Sequence, residues 1–298
     1  MAKRIMLVVN PAGGRGKSID LLPKLEKQLV KLGLTTDIRI TENPGQATKL
    51  AAKAAQCGYK RIAAVGGDGT VNMVAAGVYG TDTTLAVIPA GTGNDFFKML
   101  NIESNFEEIC QAAAFGEAIT LDVGIFNDRP FFNMLGVGFD AQVGIEANKT
   151  MRNLGIVTYL KAVYKVLKNY QSHDIKLRID SLELERDILL VAVGIGRSTG
   201  GGFLLTPQAI TDDGKFDVCL ATSIGKMRIM SLLPKVLKGK HIRAPEVSMY
   251  RCKQLEIFSD KPLPVHYEGE TFTTTNGKLS IKMSRHKLKV ASGVKQNK

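Results

Sequence analysis

The segment VGGDGT at residues 65–70 contains the residues whose chemistry is most readily inferred from this chain. Its glycines have no Cβ atom, so a ligand can approach the backbone, whose N–H groups at a strand-to-helix turn favour an anion. The positive end of the following helix dipole strengthens that preference. Asp68 would repel a bare phosphate, so a magnesium ion is the natural mediator. The segment therefore predicts a metal–polyphosphate site with a nucleotide as its occupant.

A second glycine-rich segment, NPAGGRGKS at residues 10–18, ends in Gly-Lys-Ser like a Walker A loop. Pro11 stands where that motif requires its first glycine, which excludes a P-loop. The backbone N–H groups and the charges of Arg15 and Lys17 can still reach phosphates. The alternative is a plain strand-to-helix turn in which Ser18 caps the helix.

A third glycine-rich segment, PAGTGND at residues 89–95, also follows an apolar run. Thr92 and Asn94 offer neutral hydrogen-bonding groups, and Asp95 offers a carboxylate. The structural alternative is an ordinary turn closed by an Asx-type cap. Asp122 is a candidate third carboxylate, with an ordinary turn aspartate as its alternative.

Short apolar runs alternate with helical stretches through the first 124 residues. Strands are predicted at residues 5–9, 36–40, 61–65 and 85–88. Helices are predicted at residues 18–32, 45–57, 70–79 and 106–115. This alternation predicts an α/β domain, a parallel sheet with helices on both faces, in which ligands bind beyond the carboxyl ends of the strands. The three glycine-rich segments fall at that edge.

The pattern changes near residue 125 to strand-like segments separated by turns, which predicts a mostly antiparallel β domain. Its strands are predicted at residues 125–137, 174–179, 187–195, 215–221, 254–259 and 279–283. Helical stretches interrupt it at residues 151–171 and 225–240. We therefore expect a nucleotide-binding α/β domain at 1–124 and a β-rich domain at 125–284. For the C-terminal segment 285–298, a return to the first domain is one alternative.

The composition of the chain narrows the classes of function. The net charge of +12, from 40 basic and 28 acidic residues, favours polyanionic partners such as nucleotides, nucleic acid or an anionic membrane. Tryptophan is absent and no basic stretch is rich in aromatic residues, which argues against nucleic acid. The cysteines are far apart and histidines are few, which argues against a zinc site. Because neither a membrane-spanning run nor a signal peptide is evident, we expect a cytosolic protein.

Several segments resemble the bacterial diacylglycerol kinase family, soluble lipid kinases that share their catalytic domain with eukaryotic diacylglycerol, sphingosine and ceramide kinases. In the first domain these are NP with its trailing glycines at 10–16, GGDGT at 66–70 and PAGTGND at 89–95. In the second they are NMLGVGFD at 133–140, GGGF at 200–203 and DDGKFD at 212–217. The resemblance covers nearly the whole chain in the family's order. GGDGT alone is shared with NAD kinases and phosphofructokinases.

The resemblance implies transfer of the γ-phosphoryl group of ATP to a lipid hydroxyl, with the second domain binding the lipid. Diacylglycerol is the first candidate acceptor, phosphatidylglycerol or a sphingoid lipid the alternative, and phospholipid metabolism the context. The implied nucleotide site consists of Asn10, Pro11, Thr41, Gly66, Gly67, Asp68, Gly69, Thr70, Gly91, Thr92 and Asn94.

The resemblance also implies two magnesium sites. Catalytic magnesium would lie on Asp68, Asp95 and Asp122, partly through water. A second, structural magnesium would lie at the turn 212–214, with Asp213 as its side-chain ligand. Metal then screens the phosphate charge while the protein aligns donor and acceptor.

One segment departs from the family. The family's general base is usually the aspartate of Asp-Gly-Glu, whereas this chain reads Glu268-Gly269-Glu270. Glu268 keeps the carboxylate on a longer side chain, so base chemistry requires the backbone or the substrate to adjust. We predict Glu268 as the base, supported by Glu270, with Asp68 as the third catalytic residue and His266 as an alternative base. The substitution also leaves open a non-catalytic nucleotide- or lipid-binding regulator, and NAD kinase is the alternative enzyme.

A basic and apolar stretch at residues 226–243 contains six lysines and arginines but no acid. Such a stretch can rest on an anionic bilayer and bring an enzyme to its lipid. Against this, Pro234 interrupts the helical pattern, and many amphipathic helices simply pack on their own domain. The expected partners are therefore ATP, a lipid substrate and, peripherally, an anionic membrane. A homodimer is left open.

Overall fold

The computed structural model of the protein describes residues 3–43, 45–149 and 156–293. The chain divides into two compact units. The first takes the chain up to Leu121 and again from Arg285, and the second is Asp122–Ser284. No described helix is both long and apolar enough to cross a bilayer.

Strands and helices alternate through the first unit. The elements are β1 (Lys3–Val9), α1 (Lys17–Lys31), β2 (Leu34–Ile40), α2 (Gln46–Gln56), β3 (Arg61–Gly66), α3 (Asp68–Val78), β4 (Thr84–Pro89), α4 (Phe106–Phe115) and β5 (Ala118–Leu121). Each of β1, β2 and β3 is thus followed directly by a helix, as the sequence predicts.

The second unit begins with three short strands and contains three helices in its described part. Its elements are β6 (Gly124–Phe126), β7 (Arg129–Phe131), β8 (Met134–Gly138), α5 (Phe139–Lys149), α6 (Ile156–Lys168), β9 (His173–Ile179), β10 (Leu182–Gly194), β11 (Phe216–Thr222), α7 (Lys226–Leu237), β12 (Val247–Cys252), β13 (Gln254–Phe258), β14 (Pro264–Tyr267), β15 (Glu270–Thr273) and β16 (Lys278–Met283). The chain then returns to the first unit as β17 (Leu288–Ala291).

The sheet of the first unit has the strand order β2-β1-β3-β4-β17-β5. Its strand pairs are parallel except for β17 with β5, which is antiparallel. The predicted parallel α/β fold is thereby confirmed. The chain order reverses at β1, because β2 lies on one side of it and β3 on the other. A reversal of this kind opens a crevice beyond the carboxyl ends of the strands, where ligands of α/β proteins bind.

Burial explains the composition of this sheet. In β3 every residue after Arg61 is buried, which is typical of parallel strands covered on both faces. Helix α2 buries three alanines, and these small side chains let it approach α3 closely. A Cβ atom on Gly77 of α3 would lie 2.5 Å from the carbonyl oxygen of Thr48. This close packing fixes α3, the helix that follows the GGDGT segment.

The sheet of the second unit is antiparallel and follows the path β15-β14-β8-β10-β9-β13-β16-β6-β7. Strand β10, with 13 residues, holds the sheet together. Its first half pairs with β9, and its second half pairs with β8 and, on the other side, with β11. Strand β12 extends the sheet from β11. The predicted antiparallel β domain is confirmed.

Two apolar cores stabilise the second unit. One lies within the curled sheet and includes Phe131, Val191 and Phe216. The other lies between the sheet and helices α5, α6 and α7, and it includes Val163 and Ile229. The second core therefore fixes the three helices against β8, β10 and β11.

Several elements of the two units differ from their predictions in extent or are not predicted. The strand predicted at 125–137 is three strands, because Asn127 and Asp128 adopt positive φ values of 43° and 66° and turn the chain. The helix predicted at 151–171 spans Ile156–Lys168, and residues 151–155 lie outside the described residues. Helix α5 and strands β5, β12, β14, β15 and β17 are not predicted, because these segments show too little periodicity to identify them.

Candidate active site

Three loops meet at the crevice of the first unit. The first, second and third loops are residues 10–16, 66–68 and 90–95. The N–H of Asn10 donates to the carbonyl oxygen of Val65 (3.2 Å), and the N–H of Ala90 donates to that of Gly66 (2.8 Å). These bonds continue the pairing of β1, β3 and β4 beyond the ends of the strands. The three loops are therefore held side by side.

Most glycines of these loops make contacts between backbones possible. A Cβ atom on Gly13 would lie 3.2 Å from the Cα of Gly66, and one on Gly91 would lie 2.6 Å from the Cα of Gly67. A Cβ atom on Gly66 itself would collide with the side chain of Thr70. The sequence suggested that these glycines admit a ligand. In the structure these positions admit the neighbouring loop or side chain.

Gly69 differs from the other glycines of the GGDGT segment. It is exposed in the first turn of α3, and no protein atom lies within 4 Å of a Cβ atom built on it. Packing therefore gives no reason for a glycine at this position. The backbone of Gly69 therefore borders open space at the start of α3.

Helix α3 begins at Asp68, two residues before its predicted start. Gly67 precedes it in an extended conformation, and no side chain caps this end of the helix. The N–H groups of Thr70 and Val71 donate to the Gly67 carbonyl oxygen (2.9 and 3.1 Å). Because Gly67 provides no cap, the helix dipole and the N–H groups of the first turn favour an anion at this end of α3.

The first loop and β2 supply polar side chains that are already hydrogen-bonded. Asn10 donates from Nδ2 to Oγ1 of Thr70 (3.1 Å) and accepts at Oδ1 from the N–H of Ala12 (3.0 Å). The buried hydroxyl of Thr41 donates to the carbonyl oxygen of Val9 (3.2 Å). These contacts fix Asn10 and Thr41 at the carboxyl ends of β1 and β2. Pro11 is exposed beside them.

Asn94 closes the third loop on itself. Its backbone has a φ of 49°, its Oδ1 accepts from the N–H of Gly91 (3.1 Å), and its Nδ2 donates to the Gly91 carbonyl oxygen (3.0 Å). This is the Asx-type closure that the sequence left as the alternative. Thr92 is exposed at the tip. Asn94 therefore shapes the loop, while Thr92 is the side chain that the loop presents to solvent.

Two carboxylates stand at the second and third loops. Burial raises the pKa of the Asp68 carboxyl, and the charge of Asp95 raises it further. The N–H of Phe96, which donates to Oδ1 of Asp68 (3.1 Å), acts in the opposite direction. Buried Asp95 is paired with Lys98, whose Nζ lies 2.8 Å from Oδ1. The repulsion between the two carboxylates is a charge arrangement that a divalent cation would relieve.

The donor set fits a magnesium ion shared with a nucleotide. Magnesium is usually held by one or two carboxylates together with substrate phosphates and water. Asp68 and Asp95 supply that number. Within residues 3–43, 45–149 and 156–293, no three side chains of His, Cys, Asp or Glu come close enough to hold a metal ion by themselves. Phosphate oxygens would complete the coordination.

Asp122, the third predicted magnesium ligand, belongs to the second unit. Its Oδ2 accepts from the N–H of Gly214 (2.6 Å), and its own N–H donates to the carbonyl oxygen of Thr211 (2.7 Å). The buried carboxylate therefore holds the loop that contains Asp213. The role of Asp122 at the catalytic metal stays a prediction.

Glu268 lies in a tight hairpin turn between β14 and β15. Tyr267 pairs with Glu270, so Glu268 and Gly269 form a two-residue turn, with positive φ values of 49° and 86°. Such turns favour Asn-Gly or Asp-Gly. The family's Asp-Gly meets this requirement better than the Glu-Gly of this chain.

The side chain of Glu268 folds back toward the start of β8. Its Oε1 accepts from the N–H groups of Phe132 (2.7 Å) and Asn133 (2.6 Å). The carboxylate is nearly buried. Two backbone donors on one oxygen therefore fix the orientation of the carboxylate.

Glu270 and His266, the two neighbours of Glu268 with predicted roles, differ in their exposure and contacts. Glu270 is exposed and accepts at Oε2 from the Tyr267 hydroxyl (2.7 Å). His266 faces α5, where a Cβ atom on Gly144 would lie 3.1 Å from its Cδ2. Burial lowers the pKa of His266 to about 4, so its imidazole is neutral at pH 7. His266 thus packs against α5, the ordinary role of a half-buried strand histidine.

A cavity in the second core contains functional groups that the sequence did not reveal. It has a volume of about 60 Å³ and an apolar wall formed by β10, β11 and α7. Asp140 and His241 also line it, both nearly buried, and neither Oδ1 of Asp140 nor Nδ1 of His241 has a hydrogen-bond partner. Nε2 of His241 lies 3.2 Å from the carbonyl oxygen of Leu205. A carbonyl only accepts, so Nε2 carries the proton and Nδ1 is an unused acceptor.

The open space at Gly69 leads to the first prediction. Gly69→Ala should leave the thermal unfolding midpoint unchanged or raise it, because alanine favours a helix and meets no protein atom. It should weaken ATP binding, measured by calorimetry, because the methyl group fills the space of the ligand. Gly225→Ala, also free of neighbours within 4 Å, is the control and should leave ATP affinity unchanged. An unaltered ATP affinity in Gly69→Ala would contradict this assignment.

Comparisons with known proteins show what the chain is similar to. Residues 4–126 match the model of the diacylglycerol kinase catalytic domain. Residues 133–291 match the YegS C-terminal NAD kinase beta sandwich-like domain. A diacylglycerol kinase of Staphylococcus carnosus (strain TM300) is 27% identical over 91% of this chain and 89% of its own length. That of Staphylococcus aureus (strain MRSA252) is 29% identical over 91% and 87%.

Solved structures share the fold. A crystal structure of a diacylglycerol kinase from Bacillus anthracis str. Sterne has a TM-score of 0.74 at 22% identity, covering 98% of this chain and 97% of that one. A second chain from that organism has a TM-score of 0.80 at 26% identity, over 98% of both chains. An NAD kinase from Archaeoglobus fulgidus in complex with ATP has a TM-score of 0.56 at 16% identity, over 98% and 94%. The chain belongs to the diacylglycerol kinase catalytic-domain family and is a phosphotransferase of the lipid-kinase type.

Proposed function

We propose that this protein transfers the γ-phosphoryl group of ATP to the hydroxyl group of a lipid, with diacylglycerol as the first candidate and phosphatidylglycerol or a sphingoid lipid as alternatives. The observation that carries the proposal is the meeting of three loops around the uncapped start of α3, next to Asp68 and Asp95. That arrangement suits a metal-bound polyphosphate. Family membership supports a lipid as the acceptor.

On the donor side, the first unit binds and orients the nucleotide. The N-terminal turn of α3 receives phosphate oxygens, and Gly69 leaves room for them beside the backbone. Asp68 and Asp95 would hold magnesium, which screens the negative charge of the phosphates when bound. Asn10 and Thr41, fixed by their own hydrogen bonds, shape the edge of the site.

On the acceptor side, Glu268 is the proposed general base. The N–H groups of Phe132 and Asn133 hold its carboxylate in one orientation, so it meets a substrate hydroxyl without first having to be ordered. Glu268 takes the proton as the hydroxyl oxygen attacks the γ-phosphorus, and ADP leaves. Glu270 and its hydrogen bond with Tyr267 stabilise the hairpin that carries the base.

The cavity of the second unit is the proposed site for part of the acceptor lipid. Its apolar wall suits an alkyl chain, and Oδ1 of Asp140 and Nδ1 of His241 are buried atoms without a hydrogen-bond partner that can accept from a hydroxyl group. At about 60 Å³ it holds a few methylene groups, so a complete acyl chain requires α7 to move outward. A lipid with a polar hydrogen near its chain fits this environment better than the nicotinamide or adenosine of NAD.

Glu268 provides a test of the base. Glu268→Gln should lower kcat by about 10²–10⁴-fold, the usual contribution of a general base, while the amide oxygen still accepts the two N–H bonds and the unfolding midpoint stays near that of the parent. Glu268→Asp restores the family's residue but shortens the side chain, so it should lose one or both bonds and unfold at a lower temperature. Full turnover in Glu268→Gln would eliminate Glu268 as the base.

Asp140 provides a prediction on pH dependence. Burial raises its pKa to about 7, although N–H groups of Asp140 and Ala141 oppose the shift. The folded state therefore holds this proton more tightly than the unfolded chain, and the free energy of unfolding falls as pH rises from about 4 to about 7. Above pH 7 the buried charge costs up to about 4 kcal/mol.

Asp140→Asn should therefore stabilise the protein at pH 8 and change little at pH 4.5, measured by chemical denaturation. The buried neighbours that share its setting are Cys219, whose pKa burial raises to about 12, and His241, whose pKa burial lowers. Cys219 stays neutral from pH 4.5 to pH 8, and His241 is present in both proteins, so the predicted difference between the variant and the parent belongs to Asp140. Asp260→Asn, at an exposed position, is the control. A stability gain that is equal at both pH values would refute the assignment.

A face formed by α6 and α7 is the proposed membrane-contacting surface of the second unit. Its exposed apolar side chains are Leu160 (41% exposed), Tyr164 (60%), Met227 (84%) and Met230 (43%). Lysines 161, 165, 168 and 226 surround them, and Nζ of Lys226 donates to the Lys168 carbonyl oxygen, which brings the two helices together. Exposed apolar groups ringed by lysines match an anionic bilayer surface.

One basic side chain of the stretch 226–243 is already paired with an acid. Arg228 forms two hydrogen bonds with Glu246 (2.6 and 3.2 Å), an acid that lies just outside the stretch 226–243. On the face itself Lys165 is also paired, with Glu146, and Lys161, Lys168 and Lys226 give the face its positive charge. We therefore propose that the protein resides in the cytosol and that this positive face attracts it to the membrane surface.

The membrane proposal predicts the behaviour of a surface variant. The double variant Tyr164→Ser and Met227→Ser should sediment less with vesicles containing phosphatidylglycerol, while folding and turnover of a soluble short-chain lipid stay unchanged. Leu182→Ser, also at an exposed apolar position of the second unit, is the control. Raised salt should weaken binding of the parent, because charges at the surface are screened. Equal sedimentation of the double variant and the parent would rule out this face.

The function itself is tested with labelled ATP, magnesium and a panel of acceptors, each phosphorylated product being identified by mass. We expect the parent to transfer the label to diacylglycerol, phosphatidylglycerol or a sphingoid lipid. The Asp68→Asn variant should not label any of these lipids. Label in NAD instead would favour the NAD kinase alternative, whose fold is similar. ATP binding without any product from this panel would favour a non-catalytic regulator and overturn the proposed reaction.

A further inference from the structure

The loop at residues 211–215 is the place where the resemblance expects a structural magnesium ion, with Asp213 as its ligand. In the structure both oxygens of Asp213 are engaged by protein groups. Oδ1 accepts from the N–H of Lys215 (3.0 Å), and Oδ2 forms an ion pair with Nη2 of Arg251. Asp213 therefore has a cationic partner from its own chain.

Arg251 is positioned by the pairing of β11 with β12. It stands directly opposite Asp217 in the antiparallel register, so the two side chains lie on the same face of the sheet. Its Nε lies 3.6 Å from Oδ2 of Asp217, a buried carboxylate oxygen that has no hydrogen-bond partner. One guanidinium thus lies between Asp213 in the loop and Asp217 in the strand.

The loop has further support from Asp122. The Asp122 carboxylate accepts from the N–H of Gly214, and the Asp122 backbone donates to Thr211. Both sides of the loop are thereby bonded to the start of the second unit. The loop is held by protein groups at Thr211, Asp213 and Gly214.

This arrangement does not fit a magnesium ion on Asp213. Magnesium demands near-octahedral oxygen coordination, and it would have to displace the guanidinium from Oδ2 of Asp213. A guanidinium remaining nearby would repel the metal. Within the described ranges no group of three His, Cys, Asp or Glu side chains gathers at this loop.

We infer that the guanidinium of Arg251, and not a divalent metal, is the cationic partner of Asp213 and Asp217 in this protein. Arg251 is thus a positioning residue that ties the 211–215 loop to β11 and β12. The second unit keeps this loop ordered without magnesium. The inference depends on neither the acceptor lipid nor the proposed reaction.

The test uses the full-length protein without nucleotide and follows unfolding, so it does not depend on activity. The thermal midpoint of the parent should be the same in EDTA and in magnesium chloride. Arg251→Met should lower the midpoint, and magnesium should restore part of the loss, because Asp213 and Asp217 then lack their cation. Arg178→Met removes an exposed arginine that also pairs with two glutamates, and its midpoint should not respond to magnesium.

A direct count of bound metal keeps the inference testable if Arg251→Met does not fold. Manganese, a spectroscopic substitute for magnesium, is titrated into nucleotide-free parent and Asp213→Asn and followed by electron paramagnetic resonance. The two proteins should bind the same number of ions. The inference is overturned if the parent loses stability in EDTA, or if Asp213→Asn binds one manganese ion fewer than the parent.

Discussion

The close approach of three loop backbones at the reversal of the first sheet is the constraint on which the candidate active site depends. Gly13, Gly66, Gly67 and Gly91 lie where a Cβ atom would meet a neighbouring loop or side chain. Because the loops touch, the hydrogen bonds of the strands continue beyond the sheet and fix the start of α3. The position of the N-terminal end of that helix and the pair Asp68–Asp95 are consequences of this packing. A protein with side chains at these glycines would hold neither in place.

Much of this fold was predictable because its physical signals are local. A buried parallel strand must be apolar along its whole length, and a strand followed by a helix leaves a repeating pattern in the sequence. The GGDGT segment was correctly placed at the carboxyl edge of the sheet for that reason. The role of its glycines was harder to predict. Whether a missing Cβ serves a ligand or a neighbouring loop depends on contacts between segments far apart in the chain, and in this segment Gly69 alone has open space around it.

The second unit was less predictable because its determinants are non-local. The sequence predicts one strand at 125–137 where the structure has three. The turn at Asn127 and Asp128 depends on positive φ values, which residue types indicate only weakly. Glu268 was identified from the family pattern, but its bonds to Phe132 and Asn133 join residues more than 130 positions apart. Nothing in the sequence indicated that His241 would line a cavity with Asp140. Nor did it indicate that Arg251 would pair with Asp213, because that contact depends on the register of β11 with β12.

The position of β17 has a consequence for how the protein is made. This strand joins the first sheet between β4 and β5, yet it follows the whole second unit in the chain. On the ribosome, β1 to β4 can pair early, but the edge of β4 stays uncovered while more than 160 further residues are synthesised. Strand β5 has β17 as its partner in the sheet, so it waits as well. The first unit is therefore first to begin folding and last to finish, and a ribosome that stalls within the second unit releases a sheet with an open, aggregation-prone edge.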